Sequence, residues 1–283
     1  MKYRSLVRYG SFLLALPLAL VLAFSTPPQE ISTNRIDPCY GENWTFNVGE
    51  ELTYKIYYNW NFVWLPAGEV VFKVSDEDNF YHLSARGRTY SSYEWFFKVR
   101  DSYDTYIDKQ TLLPMNSIRE VNEGGYKLVE KLVFDQSRNS VACYRGKDRK
   151  TLIKKDYKIN SCMHDILSIV YHTRNIRFTD LKKGEKLGVK IFMDEEVFPL
   201  NVAYKGRYKN LHIKDSGRYN AFKFSPEVIS GEIFKEGSEM NVWVSDDSNQ
   251  VPVYIESPVS VGSVKVILQS YKGLRYPFTA KTK

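Results

Sequence analysis

Three side chains near the middle of the chain have the types and spacing of hydrolytic chemistry. His164 and Ser168 lie one helical turn apart, close enough to touch, with Asp165 beside the histidine. A hydrolytic triad also needs the imidazole oriented from its far side by a third group, and donors for the oxyanion. Asp165 is adjacent in sequence and points to another face, and no G-x-S-x-G elbow is present. A structural role, with Asp165 capping a helix and Ser168 packing or bonding back to the backbone, asks less of the sequence. Asp246 and Asp247, followed by Ser248 and Asn249, bring together oxygens of the kind calcium takes. They lack the spaced glycine and glutamate of a helix-loop-helix calcium site, so a turn bonding its own backbone is the simpler account. Carboxylate pairs for sugar hydrolysis are not marked by any spacing.

The chain that must position these groups opens with Lys2, Arg4 and Arg8, an apolar run from Phe12 to Phe24, and small residues around Ser25. This is the order of a secretory signal peptide over residues 1–25. The apolar run is broken by Pro17 and is too short for a membrane span, so no transmembrane helix is expected after cleavage. Removing the segment takes the formal charge from +7 to +4, since it holds three basic residues and no acidic one. Nucleic acid is excluded as a partner by export and by the absence of any DNA- or RNA-binding motif. The predicted location is the periplasm or the inner face of the outer membrane. Cys39, Cys143 and Cys162 permit one disulfide and leave one thiol over; Cys143 with Cys162 is the favoured pairing. Their spacing does not suit zinc, and no cofactor is expected.

Residues 26–43 are rich in Pro, Ser, Thr and Asn and read as a leader or linker. A single β domain is expected over 44–275, with a tail at 276–283. In ELTYKIYYNW, Leu52, Tyr54, Ile56, Tyr58 and Trp60 share one face, the period of a half-buried strand. The same grammar recurs as far as Tyr271, with short polar turns that imply antiparallel pairing. Ile166, Leu167, Val170 and Tyr171 instead recur at helical spacing, behind Ser161 or Asp165 as a cap. The fold class is therefore all-β: curved antiparallel sheet in an open barrel or two-sheet shell, with one central amphipathic helix.

Two surface features stand out. Arg145, Lys147, Arg149, Lys150, Lys154, Lys155 and Lys158 form a basic run suited to anionic lipid or acidic glycan, or to protecting an exposed strand edge. Trp60, Phe62, Val63, Trp64 and Leu65 precede Pro66-Ala67-Gly68, where a hairpin tip should be polar. Either they plug one end of the sheet, or, with Tyr93, Trp95 and Phe96, they form a rim where a ligand, membrane or partner docks.

GEELTYKIYYNW with LPAGEVVFKV, then DSYDTYID, LVFD, HDILSIVYHTRN and MNVWVSDDSNQVPVYIE resemble, in order, the landmarks of the bacterial domain of unknown function family 3108. The likeness runs from Phe46 to Tyr271, and the WNFVWLPAG hairpin is similar to envelope proteins of the Bacteroidetes. It implies an exported protein built as a curved or barrel-like antiparallel sheet, with no activity to carry over. The function expected from all of this is non-enzymatic binding of a lipid-like or glycan ligand, or assistance in envelope assembly. The alternatives are a periplasmic hydrolase using His164 and Ser168 or an unmarked carboxylate pair, and a structural subunit beside an envelope protein partner.

Overall fold

The computed structural model describes residues 41–283 except 61–62, 160–161, 228–238 and 260–261. The segment 1–25 expected as a signal peptide, and residues 26–40 of the expected leader, with Cys39, lie outside the described residues, as does Phe62; the Trp60 side chain is likewise not described.

Strands β1 (Glu51–Trp60), β2 (Val63–Glu77), β3 (Phe80–Thr89), β4 (Arg100–Asp108), β5 (Pro114–Glu123), β6 (Tyr126–Asp135), β7 (Ser140–Gly146) and β8 (Ile153–Lys158) precede helix α1 (Ile166–Arg174). After it come β9 (Lys186–Met193), β10 (Glu196–Ile213), β11 (Gly217–Pro226), β12 (Asn241–Ser245), β13 (Pro252–Pro258) and β14 (Ser263–Lys272). All fourteen form one antiparallel sheet, in which each half of the chain meanders outward from a central β1–β14 ladder. The edges are β8 and β9, and they share no ladder. Yet Tyr157 of β8 and Phe192 of β9 pack at a tilt with ring centroids 5.3 Å apart, and Lys155 meets Glu195 of the β9–β10 turn at 2.8 Å. The sheet is thus curled until its two edges meet through side chains.

The connection between the edges carries the helix and stitches this seam. Backbone bonds join His164 to Lys190 and Phe192 of β9, while Gln136 of the β6–β7 turn brackets the Met163 backbone at 2.9 and 3.2 Å. α1 buries Ile166, Leu167 and Tyr171, and Phe46 meets Tyr171 edge to face at 5.0 Å. Cys143 is a free thiol buried against Leu132 and Met163, whereas Cys162 is disulfide-bonded. The favoured Cys143–Cys162 pairing is therefore not made: Cys143 points into a satellite core from β7, and nearness in sequence did not bring Cys162 to it.

At the helix end a second anchor ties distant segments together. Arg174 forms a bidentate pair with Glu50 at 2.6 and 2.8 Å, both side chains nearly sealed from solvent, and also donates to the Asn249 carbonyl. The Asn249 side chain in turn bonds the Tyr276 backbone through its amide and its oxygen, holding the start of the tail. Lys281 and Thr282 then run beside β11.

The tip of the first hairpin differs from the turn expected at Pro66-Ala67-Gly68. β1 and β2 continue past it, with a bulge between Ile56 and Tyr57, and their ladder runs on to Trp60 opposite Val63. Pro66 is tolerated because β3 ends at Thr89, opposite Gly68, so that residues 63–66 have a ladder partner on one side only. Gly68 is required there, since a side-chain carbon would lie 2.3 Å from the Arg88 carbonyl.

Candidate functional site

His164 and Ser168 do touch, Nδ1 to Oγ at 3.2 Å. Their surroundings are those of a helix cap. Asp165 accepts from the Ser168 backbone at 2.7 Å, Ser168 Oγ accepts from the Asp165 backbone at 3.0 Å, and Thr105 donates to Asp165 from β4. This is a reciprocal capping box. His164 and Ser168 are 1% and 0% exposed, so a substrate would have to displace the first turn of α1 to reach either. Burial raises the Asp165 carboxyl above its ordinary range against the bonds from Ser168 and Thr105. The hydroxyl is occupied by the backbone, and no donor pair faces it as an oxyanion hole does.

Asp246 and Asp247 are likewise spoken for. Asp246 pairs with Arg207, while Asp247 accepts from Ser245 and the Asn249 backbone on one oxygen and from the Thr279 and Ala280 backbones on the other. The turn fastens the tail through an Asx motif. No group of three or more His, Cys, Asp or Glu side chains placed to hold a metal occurs among the described residues.

A polar cluster that the sequence did not flag lines the inner faces of β4, β5 and β6. Inward positions alternate as Asp101, Tyr103 and Thr105 on β4 and as Ser117, Arg119, Val121 and Glu123 on β5. Arg119 pairs with Glu130 of β6 at 3.2 Å and with Asp194 of the β9–β10 turn, and Arg145 joins Asp194 at 2.8 Å. Two cations and two anions balance there. Asp101 and Glu123 are extra: their carboxyls bond each other, and Asp101 also takes the Asn122 N–H at 2.9 Å. Asp101 Oδ2, Tyr103 Oη and both Glu123 oxygens meet no other partner. Burial first, then the Asp101 charge, pushes Glu123 up to about 10, so the pair holds a proton at neutral pH. The adjoining cavity, lined by Thr105, Ser117, Arg119, Glu130 and Asp165 among others, measures about 20 Å³. That is room for about one water molecule and not for a lipid or sugar.

The predicted aromatic rim divides. Tyr93 is buried, its hydroxyl pushed up to about 12 by burial and then by Tyr58 of β1. Trp64 is half-buried against Tyr57, with the Lys214 and Lys265 ammonium groups 4.7 and 4.8 Å from its ring. Trp95 is 85% exposed and Phe96 62%, their rings 5.9 Å apart, and Val63 and Leu65 are exposed on the projecting start of β2. The segment that carries Trp95 and Phe96 is firmly held. Tyr90 N–H bonds Ala67 O at 3.0 Å, turns close from Tyr90 to Tyr93 and from Tyr93 to Phe96 and Phe97, and Lys98 O accepts from Gly124 at 2.9 Å. Gly124 itself, at φ +54, has no space for a side chain under the Phe97 ring.

The family described as "Protein of unknown function (DUF3108)" matches residues 53–269. Among solved structures, a β-barrel-like protein of domain of unknown function DUF1849 from Brucella abortus is similar at 9% identity, covering 82% of this chain and all of that one, with a TM-score of 0.52. A candidate lipoprotein from Parabacteroides distasonis covers 82% of this chain and all of its own at 12% identity, with a TM-score of 0.29. A candidate exported protein of YmcC-like fold from Bacteroides fragilis, at 9% identity, covers 83% of this chain and 99% of its own, also with a TM-score of 0.29. The Brucella protein supports a barrel-like fold; the other two are too distant in shape to carry an argument. No curated protein matches the chain in sequence.

Proposed function

The chain belongs to the DUF3108 family, and from that premise we propose that it is a non-enzymatic, exported binding protein of the cell envelope that meets a lipid-like ligand at its aromatic rim. One observation carries this reading: Trp95 and Phe96 stand exposed on a turn closed by several backbone hydrogen bonds, so the fold spends two large apolar side chains where the core does not use them. Export is supported by the basic, apolar and small-residue order of residues 1–25. Carriage inside the barrel loses its support, because the described interior is filled by side chains such as Tyr54, Ile56, Phe46 and Tyr171. The hydrolase alternative is weakened by the sealing of His164 and Ser168.

The test is lipid co-purification. Protein taken from its own host and extracted with organic solvent should release lipid detectable by mass spectrometry, and the Trp95→Ser/Phe96→Ser variant should not. Because both rings are exposed, the variant should keep its thermal midpoint. Lipid absent from the parent protein, or retained in full by the variant, would count against the reading.

A further inference from the structure

The ladders sort the turns of the sheet into two ends. The β2–β3, β4–β5 and β6–β7 turns lie at the helix end, with α1 and the tail. At the far end lie the β1–β2 tip and the β3–β4, β5–β6 and β7–β8 turns. Asp76, Glu77, Asp78, Asp108 and Asp135 mark the helix-end turns, where Lys109 pairs with Asp76, Arg138 with Asp135, and Asp108 bonds the backbone of its own turn. At the far end the basic groups are Lys98, Lys127, Lys147, Arg149 and Lys150, of which the last three lie on the exposed β7–β8 turn. The acidic groups there are already engaged: Glu94 pairs with Lys98 and Arg100, Glu120 with Arg149, and Asp148 bonds the backbone of its own turn. Glu123 is buried beneath the surface. All four exposed large apolar side chains of the β1–β2 tip and the β3–β4 turn, Val63, Leu65, Trp95 and Phe96, stand on this same end.

Resting on the reading of the rim given above, we propose that the far end docks on an anionic lipid surface, with Trp95 and Phe96 seated at the headgroup level and the β7–β8 lysines over the phosphates. Tryptophan and phenylalanine at a loop tip suit the boundary between headgroups and acyl chains, where an apolar body and a polar edge are both accommodated. Charge selects the face that turns to the membrane. The acids of the helix-end turns are largely paired or bonded in their own turns, whereas Lys127, Lys147 and Lys150 at the far end make no ion pair among the described residues and are attracted to an anionic leaflet beside the exposed rings, so the far end turns to the surface with α1 pointing away. A protein partner has no comparable support, since the exposed apolar side chains sit on two separate turns rather than in a groove.

Sedimentation of the full exported chain with vesicles tests this. Binding should be strong to phosphatidylglycerol and weak to phosphatidylcholine, and should fall with added salt. Lys147→Ala/Lys150→Ala should weaken it roughly thirty-fold, at about one kcal/mol for each basic residue near the surface. Trp95→Ser/Phe96→Ser should abolish it, and brominated lipid should quench parent fluorescence more than that of Trp95→Phe. Equal binding to both lipids, or binding indifferent to both variants, overturns the proposal. So does an absence of vesicle binding by protein whose co-purified lipid still depends on the rim; that result retains a binding site for single lipid molecules and removes the membrane surface.

Discussion

Two buried polar clusters, one at the helix end and one on the inner faces of β4 to β6, solve the problem of charge in a core in opposite ways. Around Arg174 and Glu50, each charged atom named above faces a partner, and the network ties the segment before β1, the end of α1, the β12–β13 turn and the tail. Such a cluster is fastening, and its charges are matched one to one. Around Arg119, the cations are matched by Glu130 and Asp194, and two further carboxyls are left with each other and a proton. The lesson is that burial alone does not mark a functional group. In the fastening the charges cancel in pairs; the carboxyl pair is a place where the fold depends on a proton.

The largest effect that would break this comparison is at the fastening. Arg174→Met strands Glu50 in the core and should cost about 3–5 kcal/mol in urea unfolding, whereas replacing Arg174 and Glu50 together by apolar residues should recover much of that loss. A single variant as stable as the parent would mean that the pair is not what joins the segments. Next comes the carboxyl pair. Glu123 is protonated in the folded chain and ionised, with an ordinary value of 4.5, in the unfolded one. Its contribution to stability is therefore complete in acid below that value and declines as pH rises toward about 10, by about 1.4 kcal/mol per pH unit. Glu123→Gln keeps the neutral shape and removes the ionisation, so it should flatten the fall in urea midpoint between pH 5 and 9 and raise stability at the alkaline side. An unchanged pH slope in Glu123→Gln would show that the proton lies elsewhere. The smallest effect is at the helix cap: Ser168→Ala removes one arm of the capping box and should cost about 1 kcal/mol. A loss of several kcal/mol would instead give Ser168 a structural weight equal to that of Arg174.

The fold was legible where one strand face is apolar. β1 and α1 were read from their periods, and Asp165 was among the expected caps of the helix. β5 carries no such signal, because its inward positions are Ser117, Arg119, Val121 and Glu123; a period of two in hydrophobicity disappears when the buried face is polar. The same blindness hid the Asp101–Glu123 pair, since only the β4–β5 register places the two side chains together. In β10, the polar stretch from Lys205 to Asn210 interrupts the apolar alternation, yet the strand runs through it, largely exposed and paired to β11. Of the aromatic rim, the sequence could mark the residue types but not their fates. Tyr93 and Phe96 are three residues apart on one tight turn, and that turn directs one ring inward and leaves the other largely outside.

The central ladder has a consequence for how the molecule is made. β1 and β14 pair through nine residues, from Glu51 with Lys272 to Asn59 with Ser263, so the middle of the sheet joins the first of the described strands to the last. Until β14 emerges, ELTYKIYYNW has an open side on the growing chain, with aromatic and β-branched residues that invite pairing with other chains. Contacts this distant in sequence are slow to form. The timetable of folding is therefore set by the emergence of β14, and a stop codon just before Ser263 would remove the centre of the sheet rather than trim its margin.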